Sequence, residues 1–185
     1  MEILRSYLAE RIVVAVGDIC DFHGDAIVNA ANSSLAGGGG VDGAIHRAAG
    51  ALLGEECKAL RQTSLPDGLP AGKAVLTGAG KLPLKGIIHA VGPIWRDGNA
   101  DEARLLASAY RSSLALAAKQ NWDLLAMPAI STGVYGYPKN EAAGIALNTA
   151  LEFLKQNEHP RQLWLVFFNQ NDARFLMSQA ERLGV

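Results

Sequence analysis

Asn29-Ala-Ala-Asn-Ser-Ser-Leu-Ala-Gly-Gly-Gly-Gly-Val-Asp-Gly-Ala-Ile-His46 is the stretch on which the reading of this chain turns. Four consecutive glycines, Gly37 to Gly40, run directly into an apolar, helix-forming segment that starts near Val41. Backbone without Cβ atoms can bring its N–H groups against a bulky anion. The helix that follows aims unpaired N–H groups and the positive end of its dipole at the same place. The pattern is that of a phosphate or diphosphate cradle with polar side chains around it. Asp42 reads in two ways: as a helix-start residue that complements the dipole and caps free N–H groups, or as a carboxylate that holds ribose hydroxyls or positions a nucleophile. Asn29 and Asn32 read either as turn residues that satisfy backbone groups or as ligand contacts.

Outward from this loop, apolar runs over residues 11–16, 25–28, 74–77, 87–91, 124–127 and 163–168 predict strands. Helical spacing predicts helices over 41–57, 101–120, 139–156 and 172–183. Strands alternating with helices in the second half imply parallel crossovers, with helices on both sheet faces. Runs such as Trp164-Leu-Val-Phe167 lack strict alternation, as strands buried on both faces do. The expected fold is α/β, a three-layer α/β/α sandwich, in one domain over residues 1–185. In such sheets ligands sit beyond the carboxyl ends of the strands, which is where the glycine loop falls.

A second loop, Ser131-Thr-Gly-Val-Tyr-Gly-Tyr-Pro138, joins a strand to a helix. It is either an ordinary turn or a second wall around an anion and a sugar; two such loops in one small sheet favour a shared ligand site. Two better-known phosphate signatures fail. Gly38-Gly-Gly40-Val-Asp-Gly43 formally matches the dinucleotide fingerprint, but it does not follow a strand directly, and Glu55 and Glu56 come too early for the ribose carboxylate. Gly80-Lys81 is followed by Leu82 and lacks the first glycine of a P-loop. Asp18, just past the first strand, is a turn residue or an acceptor for an adenine amino group. Phe167 and Phe168 belong to the core, with the outer one free to stack on a base.

Composition removes other classes. A net charge of −1 offers no electrostatic footprint for duplex nucleic acid. Cys20 and Cys57 are too few for a disulfide framework, and the histidines at 23, 46, 89 and 159 lack metal-ligand spacing. His46 reads as a hydrogen-bonded core residue. No apolar stretch is long enough to span a membrane, and no signal-peptide succession opens the chain, so a cytoplasmic protein is expected.

Taken together, Gly17-Asp-Ile, Asp25-Ala-Ile-Val-Asn-Ala-Ala-Asn32, Gly37 through His46, His89-Ala-Val-Gly-Pro93 and Pro128 through Pro138 resemble the macrodomains. More narrowly they are similar to the MacroD-type branch that includes bacterial O-acetyl-ADP-ribose deacetylases. The resemblance runs from about Arg11 to the last helix. It implies a mixed central sheet and ADP-ribose as ligand. By position, Asp18 and Ile19 correspond to adenine-end contacts, and Asn32 and Asp42 to the pair that holds the distal ribose and is required for turnover. Gly40 and Val41, with Ser131, Thr132, Gly133, Val134 and Tyr135, correspond to the two diphosphate loops, and Tyr135 to a residue packed on the distal ribose. Phe168 and Asn169 fall where the family places an aromatic beside the adenine. Cys20 stands where many relatives carry threonine, and the zinc-binding insert of a different branch is absent.

The implied reaction is hydrolysis of an ester between an acyl group and a ribose hydroxyl, with O-acetyl-ADP-ribose and mono-ADP-ribosylated acidic side chains of proteins as candidate substrates. It needs no metal or redox cofactor. Asp42 would orient or deprotonate the attacking water while Asn32 holds the ribose, with a substrate phosphate oxygen as the alternative base. The rival is a non-catalytic reader of ADP-ribose or its polymer, which would need neither Asn32 nor Asp42. A single-strand nucleic-acid binder would need a basic groove interleaved with aromatics, which the chain lacks.

Overall fold

The computed structural model describes residues 1–185. Its strands are β1 (Glu2–Tyr7), β2 (Ile12–Val16), β3 (Ala26–Ala30), β4 (Ala74–Thr77), β5 (Gly86–Ala90), β6 (Leu124–Pro128) and β7 (Gln162–Phe167). They form one seven-stranded sheet in the order β1-β2-β7-β6-β3-β5-β4. The five central strands run parallel, and β1 and β4 run antiparallel at the two edges. The sheet is therefore mixed, as the resemblance implied. Every strand is at least one residue different from its expected span except β4, and β1 was not expected at all.

Helices α1 (Gly40–Ala49) and α2 (Ala51–Thr63) cover one face, and α3 (Glu102–Lys119), α4 (Lys139–Gln156) and α5 (Gln170–Leu183) cover the other. The three layers follow from strand alternation. Ala26 and Val28 of β3 point to the α3–α4–α5 side, whereas Ile27 and Asn29 point to the α1–α2 side. The single helix expected over 41–57 is corrected to two. Gly50 takes φ +79° between them, a conformation that glycine adopts readily, and past this break Leu52 is 55 % exposed while Leu53 is buried.

The strand expected to stop at Val28 continues to Ala30. Asn29 is thus a buried strand residue rather than a turn residue, and the first loop begins at Ala31. That two-residue extension brings an amide side chain into the layer beneath the glycine loop.

Candidate functional site

All five parallel strands end at the same edge, and the segments that leave them enclose a cleft of about 820 Å³. Gly17, Asp18 and Ile19 follow β2, and Phe168 follows β7. Ala31, Asn32 and Gly38 through Asp42 follow β3, Gly92 follows β5, and Ala129 through Tyr135 follow β6. The cleft has the size of a nucleotide-ligand pocket and stands at the sheet edge where such ligands bind.

The two loops share one property. The N–H groups of Gly37 through Asp42 and of Thr132 through Tyr135 donate to no protein acceptor. Around the first loop this follows from the helix start, since the first intrahelical bonds of α1 arrive only further along. Two glycines set how closely the loops pack. A Cβ on Gly43 would come within 2.3 Å of the Gly38 carbonyl oxygen, and one on Gly92 within 2.1 Å of Ser131 Oγ. Ser131 itself takes φ +67°, a conformation that non-glycine residues avoid. It is held there by the Tyr137 N–H, which donates to its carbonyl at 2.9 Å. The buried Tyr110 hydroxyl accepts from the Ile130 N–H at 3.0 Å, and burial pushes that phenol up to about 12. The Trp95 N–H donates to Tyr135 O at 2.8 Å, so the segment after β5 braces the tip of the second loop.

Asp42 lies at the junction, only 6 % exposed. One carboxylate oxygen, Oδ1, accepts from Asn29 Nδ2 at 2.7 Å and lies 3.4 Å from His46 Nε2. The other, Oδ2, faces Gly38, 3.3 Å from where a Cβ would stand, with Asn32 Nδ2 3.5 Å from the same point. Asn32 donates from Nδ2 to Gly37 O at 2.8 Å and accepts at Oδ1 from Ser34 Oγ at 2.6 Å. The Asn32 amide is therefore oriented by the loop it belongs to, beside the Asp42 carboxylate.

At the opposite end, Asp18 Oδ1 accepts from the Cys20 N–H at 2.9 Å and caps the short turn Ile19–Asp21. Burial, then the hydrogen bond and charge of Asp18, push the Cys20 thiol up to about 12. Phe168 is 87 % exposed and Val134 fully exposed, one on each wall of the cleft. Of the residues singled out in the sequence, Asp18, Ile19, Asn32, Gly40, Val41, Asp42, Ser131 through Tyr135 and Phe168 all line this one cleft. Asn169 does not line it. Its side chain accepts from the Asp172 N–H at 2.9 Å and caps α5. Sequence reasoning missed Arg47 and Gly92, which line the cleft; Asn29, read as a turn residue or a ligand contact, lies behind it instead. Arg47 follows His46 on α1, and the pairing of Asn29 with Asp42 becomes visible only once β3 is known to extend.

A Macro domain family model matches residues 28–146, and the chain belongs to the macrodomain family. Its relatives include an O-acetyl-ADP-ribose deacetylase of Citrobacter koseri, 52 % identical over 90 % of this chain and 93 % of that one. The Oceanobacillus iheyensis macrodomain solved with ADP is 41 % identical, with a TM-score of 0.91 over 98 % of this chain and 96 % of that chain. The Trypanosoma brucei macrodomain solved with ADP-ribose is 36 % identical, with a TM-score of 0.81 over 91 % of this chain and 68 % of that chain.

Proposed function

We propose that this macrodomain, residues 1–185 acting as one unit, is an ADP-ribose-binding ester hydrolase. Its substrates are O-acetyl-ADP-ribose and mono-ADP-ribose esterified to acidic protein side chains, and its place of action is the cytoplasm. The observation that carries the reading is Asp42: a nearly buried carboxylate with one oxygen tied from behind and the other turned towards Asn32 and the glycine loop. The relatives named deacetylases support it.

In this reading the unpaired N–H groups of both loops hold the diphosphate, with Gly40 and Val41 on one side and Ser131 through Tyr135 on the other. Asp18, Ile19 and Phe168 hold the adenine end, and Tyr135 and Asn32 the distal ribose. Binding energy from the remote nucleotide orients the ester against one water. The water oxygen attacks the acyl carbonyl, its proton passes to Asp42 Oδ2 or to a substrate phosphate oxygen, and the bond from the acyl carbon to the ribose oxygen breaks. The proton taken from the water passes on to the departing ribose oxygen, so the ribose leaves as a hydroxyl, and the acyl group leaves as a carboxylate with its remaining proton released to solvent. A reader module would use the same loops without Asp42.

A time course of ADP-ribose release from O-acetyl-ADP-ribose and from ADP-ribosylated protein tests the proposal. Wild-type protein turns both over, and Asp42→Ala lowers kcat at least about a hundredfold while ADP-ribose still binds. Tight binding with no turnover by the wild type would establish the reader instead.

A further inference from the structure

Behind Asp42 lies a buried polar chain that no substrate can touch. Asn29 and His89 are both fully buried, and the parallel pairing of β3 with β5 sets them side by side on the α1–α2 face. Asn29 Nδ2 is 2.7 Å from Asp42 Oδ1 and 3.1 Å from His89 Nδ1. His89 Nε2 is 2.8 Å from Thr77 Oγ1, which in turn is 2.9 Å from Gly78 O.

The hydrogens in this chain can be placed one by one. A carboxylate only accepts, so the amide nitrogen of Asn29, not its oxygen, faces Asp42. The second hydrogen of that nitrogen points to His89 Nδ1, which must offer a lone pair. The neutral ring then carries its proton on Nε2 and donates to Thr77 Oγ1, whose own hydrogen goes to Gly78 O. Burial, followed by the charge of His46, lowers the His89 pKa to about 4, so the ring stays neutral near pH 7. Asn29 Oδ1 is left buried without a partner. An apolar filling of the same space would carry no such unpaired atom.

We infer that Asn29 and His89 are positioning residues for Asp42: a one-way hydrogen-bond relay, closed by Thr77, that pins Oδ1 and leaves Oδ2 turned towards the cleft. The inference rests on the hydrolase reading above. The relay acts on orientation rather than on ligand affinity, because neither Asn29 nor His89 lines the cleft.

Two replacements of His89 separate the relay from mere packing. His89→Asn keeps an acceptor for Asn29 and loses the bond to Thr77. His89→Leu loses both. Asn29→Leu removes the donor to Asp42. Asn29→Leu and His89→Leu lower kcat by about 10- to 100-fold with KM and ADP-ribose affinity changed less than about threefold, whereas His89→Asn restores most of kcat. Imidazole nitrogen NMR of the wild-type protein, which depends on no variant folding, reports His89 protonated on Nε2. A His89 protonated on Nδ1, or a folded Asn29→Leu protein with wild-type kcat, overturns the relay while leaving the hydrolase reading intact. A wild-type protein without turnover overturns that reading and the relay's catalytic purpose with it.

Discussion

The two faces of the sheet are built on different terms. Against α3, α4 and α5 lies a core of 29 buried apolar residues, in which the buried Ser113 Oγ donates to Ala109 O at 2.8 Å. Against α1 and α2 lies a smaller core of 15, interrupted by Asn29, Asp42, Thr77 and His89. The larger face contributes cohesion through area removed from water. The smaller one gives up some of that cohesion to hold a carboxylate in a fixed place at the cleft. The carboxylate of the proposed mechanism thus sits on the side of the sheet with the smaller apolar core.

The contrast makes its strongest demand on the apolar face. Leu114→Ala there should cost about 3 kcal/mol in stability, within the range for a fully buried leucine, while kcat at a permissive temperature stays within about twofold. Urea unfolding paired with kinetics decides it; a large loss of kcat in a folded protein would mean that the two faces are not independent.

Acid should weaken the polar face selectively. Unfolded His89 takes up a proton near its ordinary value of 6.5, but burial and His46 hold the folded ring near 4. The unfolded state therefore binds the extra proton within that window. The contribution is complete above about pH 6.5 and drains away as pH falls towards 4, amounting by linkage to about 2–3 kcal/mol at pH 4.5. The difference in unfolding free energy between pH 7 and pH 4.5 should be smaller by that amount in His89→Asn; an unchanged difference would place the titration elsewhere.

Within the cleft, Gly133 sharpens the comparison between loops. It has no positive φ, and a Cβ there would meet nothing within 4 Å, so a side chain can be added without strain. Gly133→Glu should weaken ADP-ribose about 30-fold, roughly 2 kcal/mol, by like-charge repulsion, while Gly133→Ala stays within about threefold and both keep the wild-type melting temperature. Calorimetry showing normal affinity for Gly133→Glu would remove this loop from the site. The smallest effect belongs to Phe168→Ala. With Phe168 87 % exposed, its loss should leave the melting temperature unchanged, and stacking at the low end of the usual range predicts about fivefold weaker ADP-ribose and AMP binding alike. Unchanged AMP affinity would place the aromatic away from the adenine.

How much of this was legible depended on contrast in the sequence. Helix α4 was read to the residue because Ala143, Leu147, Ala150, Leu151 and Leu154 repeat at helical spacing and are all buried. β1 was missed because Glu-Ile-Leu-Arg-Ser-Tyr lies at the sheet edge, four of its six residues exposed and none buried, with no apolar run to announce it. The break at Gly50 was hidden inside a periodic run that continued across it. The cleft residues came from glycine and hydroxyl patterns plus family resemblance, and the structure gathers all but Asn169 around one space. Asn29 and His89 were not linked, since their pairing depends on strand register between segments 60 residues apart. A polar residue at the end of an apolar run looks like the start of a turn until that register is known.

The strand order also dictates a schedule. β2 has only two neighbours, β1 and the last strand, β7, and the Gly17 N–H donates to Phe167 O at 2.9 Å. Arg11, which closes the turn before β2, donates to the carbonyls of Asn157, Glu158 and Pro160, almost the whole chain away. During synthesis the first hairpin must therefore wait, unpaired on one side, until the final strand has left the ribosome and slides between it and β6. Long-range closure of this kind is slow and leaves a strand edge open in the interim. The half of the cleft around Asp42 is made by β3, α1, β5 and β6, all complete well before that moment. The end formed by Gly17, Asp18, Ile19 and Phe168 comes into being only with the last insertion, so the nascent chain gains the corner around Asp42 before it gains the opposite wall of the cleft.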